Sequence, residues 1–143
     1  MLEMETASEV TSLNKDHYMT PSQIDHFHAK LLALKAEIEH AFHQSLLKIK
    51  EMDTRPIEEM ERSVWAFDRD MAIRTQTMNG RLLRQIDQAL ERIHDGNYGY
   101  CVETEEPIGL RRLEANPLCS FCLSVQERYE KYDRNKTYHR TWV

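Results

Sequence analysis

TPSQIDHFHAKLLALKAEIEHAFHQSLLKI, residues 20–49, decides the fold. Thr20 suits an N-cap, Pro21 suits the first helical position, and Gln23 stands three residues after the cap, as in a capping box. Apolar residues then recur at Ile24, Phe27, Leu31, Leu34, Ile38 and Ala41. Steps of three and four in alternation keep one stripe on one side of a helix, as a coiled-coil seam requires. The stripe drifts onward through Phe42, Leu46 and Ile49.

Asp53-Thr54-Arg55-Pro56 breaks this helix, because the residue before a proline avoids the helical region and Pro56 cannot continue a helix from behind. A second apolar series follows at Met60, Val64, Phe67, Met71, Met78, Leu82, Ile86, Ala89, Leu90 and Ile93, with Arg74 where another apolar residue is due. On this reading Phe67 lies in the core, and Trp65, off the stripe, is an exposed contact candidate. Asp95-Gly96-Asn97 ends the helix, with glycine available for a left-handed C-cap. Two helices of roughly 30 and 38 residues on a short turn predict an antiparallel coiled-coil hairpin over 20–95, about 45–55 Å long, with its tip near 53–61. So narrow a body encloses no small-molecule pocket. Pattern alone leaves it as a structural arm, a dimerisation device or an adaptor. Residues 1–19, polar and without periodicity, read as a flexible tail.

Beyond Asp95 the chain changes character. Tyr98-Gly99-Tyr100-Cys101, Pro107-Ile108-Gly109 and Asn116-Pro117 concentrate the turn formers over 96–143. A final helix capped by Ser120 runs through Phe121, Val125, Tyr129 and Tyr132. Cys101-Val-Glu-Thr104, then Cys119-Ser-Phe-Cys122, has the outline of a two-knuckle zinc ribbon, which needs four ligands in a tetrahedron. Thr104 stands where the fourth cysteine belongs, and a neutral hydroxyl is a poor zinc ligand. Two alternatives follow. Three thiolates hold zinc weakly, with water or a histidine such as His94 completing the shell, or the module folds without metal and its cysteines are small core residues. A redox pair at Cys119 and Cys122 lacks the surrounding βαβ pattern. His40 and His43, at i and i+3, also read as solvent-facing polar positions rather than ligands.

Composition agrees with an all-α protein. Among 143 residues there are four glycines and four prolines, while 30% are charged. No apolar run approaches the length needed to span a bilayer, and the N-terminus is acidic, so the expected location is the cytoplasm. Three cysteines suit a reducing compartment. Formal net charge is −5, and from Gly96 to Val143 the basic and acidic side chains balance. A phosphate-gripping face has no surplus of cations to draw on, so direct DNA or RNA binding is not expected.

Gly-Tyr-Cys at 99–101, Pro-Ile-Gly-Leu-Arg-Arg-Leu-Glu-Ala at 107–115, Pro117 and Cys119-x-x-Cys122, behind a long helical hairpin, resemble the DksA/TraR zinc-finger family. The resemblance runs from about Thr20 to Tyr132. It implies a bacterial, non-catalytic transcription regulator that acts as a monomer and binds RNA polymerase rather than DNA. The globular module would dock at the rim of the secondary channel, and the hairpin would reach toward the active site. Acidic residues at the tip would act near the catalytic magnesium and destabilise promoter complexes, most strongly at ribosomal RNA promoters, in the manner of stringent-response control.

Several positions depart from the family pattern. Its tip motif, Asp-x-x-Asp-x-Ala, falls on Glu58, Glu61 and Ser63, with Asp53 and Glu59 adding charge nearby. Both acids keep their sign and lie three apart, on one helix face. Three basic positions that the family uses for the alarmone ppGpp fall on Gln85, Asn116 and Leu123. A tetraphosphate site needs cations, so weak or absent ppGpp synergy is expected, although Arg81, Arg84 and Arg111 remain close in sequence. Arg111 and Arg112 are candidates for polymerase contact, with ion pairs to Glu103 or Glu114 as the alternative.

Overall fold

The structure, a computed structural model, describes residues 18–140, with side chains as far as Lys136. The described residues form four helices: α1 (Pro21–Glu51), α2 (Glu59–His94), α3 (Leu110–Ala115) and α4 (Leu123–Arg140). No strand forms among them beyond a single antiparallel bridge between Tyr100 and Pro107. The chain divides into two compact units, one of residues 29–91 and the other of the flanking segments together.

The capping box at the start of α1 is reciprocal. The Thr20 N–H donates to Gln23 Oε1 at 3.0 Å, and the Gln23 N–H donates to Thr20 Oγ1 at 3.2 Å. Two donors that a helix start leaves unpaired are thereby satisfied. At the far end of α2, Gly96 takes φ +77°, its N–H donates to the Ile93 carbonyl, and the Asn97 N–H returns to the Arg92 carbonyl. This is the left-handed C-cap that the sequence predicts.

Within the 29–91 unit, α1 and α2 lie antiparallel. The Lys35 ammonium meets Asp87 at 2.8 Å, Phe42 faces Gly80, and the Trp65 indole reaches the Met52 carbonyl, so one helix number rises as the other falls. From α1 the inward line is Leu31, Leu34, Ile38, Phe42, Ser45, Ile49 and Met52, close to the expected stripe. Ser45, buried, returns its hydroxyl to the Phe42 carbonyl at 2.8 Å, which makes a polar side chain tolerable in the seam.

On α2 the expectation fails near the turn. Its inward line is Trp65, Arg69, Ala72, Gln76, Asn79, Leu83, Ile86 and Leu90, in steps of three and four. Met60, Val64, Phe67, Met71 and Met78 face solvent, with Phe67 66% exposed. The assignments of Trp65 and Phe67 are therefore exchanged: Trp65 turns inward and is half-buried, and Phe67 turns outward. The physical reason is a donor. The Trp65 Nε1–H satisfies the Met52 carbonyl at the end of α1, which an apolar Phe67 cannot do, and a shift of one position rotates the whole helix face by about 100°.

In the other unit, Tyr18 and Met19 are ordered parts of the core rather than tail. Tyr18 packs on Tyr100 with ring centroids 5.2 Å apart, its hydroxyl accepts the Gly109 N–H at 2.6 Å, and Met19 is buried. The remainder of the predicted tail, residues 1–17, lies outside the described residues. Phe27 packs on Tyr98, whose hydroxyl donates to the Pro117 carbonyl at 2.7 Å, and Leu113 of α3 is fully buried. The sequence reading did not separate α3 as a helix. It also placed the start of the last helix too early. Gln126 donates to the Cys122 carbonyl, so Cys122 rather than Ser120 precedes the first turn of α4, and Phe121 lies ahead of it.

Candidate functional site

Two clusters carry the chemistry that the sequence singled out. The first is the cysteine module. Cys101, Cys119 and Cys122 are all buried free thiols, and Cys101 and Cys122 share a small core with Val125 and the half-buried Phe121. Each sulfur is occupied by hydrogen bonds within the protein. Cys119 Sγ accepts from Arg112 Nε at 3.1 Å and donates to the Phe121 carbonyl at 3.2 Å. Cys122 Sγ lies 3.7 Å from Thr104 Oγ1 and 3.3 Å from Ser124 Oγ. Burial pushes the Cys101 thiol up, but the Thr104 hydroxyl and the N–H groups of Cys122, Thr104 and Glu103 outweigh it and bring the thiol down to about 6.

The donor set of this module is three thiols, with the neutral hydroxyl of Thr104 at the fourth position. Among the described residues, no group of three or more His, Cys, Asp or Glu side chains is arranged to hold a metal, and the exposed His94 does not complete a shell with the cysteines. Arg112 donates to the Cys119 sulfur, and the partly buried guanidinium of Arg92 is held below its ordinary value by desolvation, with Tyr98 and Cys119 opposing that shift.

The second cluster is the turn between α1 and α2. The α1 helix ends at Glu51 and α2 starts at Glu59, with the Glu58 carbonyl accepting the Arg62 N–H at 3.0 Å. Acids in this first turn of α2 are favoured by the helix dipole. An open groove of about 570 Å³ is lined by Met52, Pro56, Glu58, Met60, Glu61, Val64, Trp65 and Asp68. Glu58, just ahead of α2, and Glu61, in its first turn, both line it. Asp53 and Ser63 are exposed nearby but do not line it, and Ser63 Oγ donates to the Glu59 carbonyl at 3.4 Å.

The turn is held by one carbonyl. Met52 O accepts from Trp65 Nε1 at 3.0 Å and from Arg69 Nη1 at 3.2 Å, and the Arg69 guanidinium lies 5.5 Å from the Trp65 ring centroid. Sequence reasoning missed Arg69 and Asp68. The i, i+4 spacing of Trp65 and Arg69 is the signal that was available.

Of the other predicted positions, Arg111 is exposed, whereas Arg112 is turned inward onto Cys119 and is not a free surface cation. The ion pairs offered as alternatives go elsewhere. Glu103 takes Arg128 and the Tyr129 hydroxyl, and Glu114 meets His26 at 3.0 Å. Gln85, Asn116 and Leu123 are exposed, as are Arg81 and Arg84.

The prokaryotic dksA/traR C4-type zinc finger matches residues 96–131. An RNA polymerase-binding transcription factor DksA of Caulobacter vibrioides is 38% identical over 117 residues, 82% of each chain. Its namesake from Escherichia coli K12 is 25% identical over 119 residues, 81% of this chain and 79% of that one. The structure of transcription factor DksA2 from Pseudomonas aeruginosa superposes with a TM-score of 0.73 at 33% identity, covering 90% of this chain and 99% of that one.

Proposed function

This chain belongs to the DksA/TraR family, and on that premise we propose that it is a transcription regulator that binds RNA polymerase through the secondary channel, presenting the turn of its helical hairpin toward the active site. Its relatives carry the name of polymerase-binding transcription factors, not enzymes. The observation that carries the finer reading is the turn itself. Glu58 and Glu61 are exposed and line a groove beside a turn whose backbone is held by Trp65 and Arg69. Two carboxylates on a pre-set turn act at a distance on cations and on mobile elements around a catalytic metal, and need no pocket for chemistry. The result is a change in promoter-complex lifetime. The partner is the polymerase, with the protein acting as a monomer and making no sequence-specific DNA contacts, in keeping with a net charge of −5. No helix among the described residues is long and apolar enough to cross a membrane.

Two finer readings go with this. Synergy with ppGpp is weak, because Gln85, Asn116 and Leu123 supply no cation where the family pattern has one. The cysteine module holds its shape by hydrogen bonds to sulfur rather than by zinc. Protein purified without added zinc is expected to carry far less than one zinc per chain, while Thr104→Cys gains zinc. Tightly held stoichiometric zinc in the parent would refute the metal-free reading.

The functional test is the half-life of competitor-challenged complexes at a ribosomal RNA promoter. The parent shortens it, and Glu58→Ala/Glu61→Ala binds the polymerase but leaves the half-life near that of polymerase alone. Equal effects of parent and variant would remove the tip acids from the mechanism.

A further inference from the structure

The start of α1, the end of α2 and the first turns of the cysteine module border a cavity of about 830 Å³, and all of its lining residues belong to one compact unit. Met19, Ile24, Tyr98 and Val102 give it apolar walls. Its acidic and basic lining residues are one of each, Glu105 and Arg92. Arg92 Nη2 is buried and has no hydrogen-bond partner among the described residues. A guanidinium has donors only, so what it lacks is an acceptor, and a buried donor without one carries the whole penalty of leaving water. That desolvation holds the Arg92 guanidinium below its ordinary value. The neighbours do not relieve it. The Tyr98 hydroxyl is engaged with the Pro117 carbonyl, and Glu105 is exposed. Cys101 also lines the cavity, but its sulfur is met by the Thr104 hydroxyl and by the N–H groups of Cys122, Thr104 and Glu103.

We propose that this cavity binds a small organic monocarboxylate with a compact apolar body, its carboxylate on the Arg92 guanidinium and its body between Met19, Ile24, Tyr98 and Val102. One cation in an apolar chamber decides the class. A nucleoside polyphosphate calls for several cations, and Glu105 sets a negative charge against any second anionic group. A neutral apolar molecule leaves Arg92 Nη2 unmatched, and a cationic one meets a like charge. The volume lies within the range of small-molecule sites and suits a ring or a branched chain rather than a polymer. The site is apart from the turn between α1 and α2 and does not rest on the polymerase reading. An occupant would join the residues ahead of α1 to the cysteine module, and it would stabilise the folded state in step with its occupancy.

The test uses the full chain, with phenylpropionate as the probe and its neutral amide as the control. In protein carrying labelled Met and Ile methyl groups, the acid should shift the Met19 and Ile24 resonances saturably and leave Met60 and Met71 of α2 unmoved. It should also raise Tm. The amide should bind roughly tenfold more weakly than the acid, and Arg92→Gln should lose a similar factor for the acid. Glu105→Asn removes the repelling carboxylate and suits the φ of +60° there, so it should bind the acid several-fold tighter, a gain that a misfolded variant cannot give. Equal binding of acid and amide, parental affinity in Arg92→Gln, or shifts confined to other methyl groups would overturn the site. Inorganic phosphate bound more tightly than the acid would overturn the carboxylate assignment, and no saturable binding up to about 10 mM probe would overturn the proposal altogether. Should Arg92→Gln fail to fold, the contrast of acid with amide and the gain in Glu105→Asn decide the matter.

Discussion

Gly99 shows how one residue ties the segment before α1 to the cysteine module. Its φ is +88°, and a Cβ there would stand 2.4 Å from Met19 Cε and 3.3 Å from Tyr18 Cε1. Gly99→Ala should therefore cost roughly 2–4 kcal/mol, as backbone strain plus overlap, and appear as a large drop in Tm. Thr104 was legible in the sequence as standing where the fourth cysteine belongs, but the hydrogen bonds made around the sulfurs were not. Arg112 reads as a surface cation until the fold turns it onto Cys119. Thr104 also faces Cys101, whose thiol lies at about 6 in the folded protein, below its ordinary value. A group with a depressed folded pKa stabilises the fold above its unfolded value and loses that contribution as pH falls through the folded one. Thr104→Val removes the hydroxyl that favours the thiolate. Its Tm deficit against the parent should be small at pH 6 and widen toward pH 9; a deficit independent of pH would contradict this account of the sulfur.

At the scale of the element, the first helix was readable almost to the residue, because its cap and its stripe agree. The second was readable in extent but not in rotation. Met60, Val64, Phe67, Met71 and Met78 make the better apolar stripe, yet the seam near the turn uses Trp65, Arg69, Ala72, Gln76 and Asn79. Periodicity counts apolar residues and does not see that a carbonyl at the end of the partner helix needs a donor. The outward stripe is left exposed. Trp65→Phe keeps the ring and removes the N–H, and since Arg69 still serves the Met52 carbonyl the cost should be about 0.5–1.5 kcal/mol by thermal unfolding. Gly80 sits in mid-helix opposite Phe42, where a Cβ would meet the ring at 3.6 Å, an ordinary contact. Gly80→Ala should stabilise the hairpin by about 0.5–1 kcal/mol and raise Tm by several degrees. A fall in Tm would mean that Phe42 packs more tightly than this contact implies.

For the molecule as a whole, the sequence sets a charge of −5, few turn formers and two long amphipathic helices, and these argue against a phosphate-binding face without identifying a partner. The partner proposed for it follows from the family, and the proposed means lies at the turn, where Glu58 and Glu61 line a groove whose backbone is held by Trp65 and Arg69. The most direct test is equilibrium binding of the full chain to purified bacterial RNA polymerase core, with and without an unrelated protein that occupies the secondary channel. The account predicts saturable binding that the second protein displaces. Absence of binding at micromolar concentrations, or binding indifferent to the competitor, would contradict it and leave a structural coiled-coil adaptor as the better description of this chain.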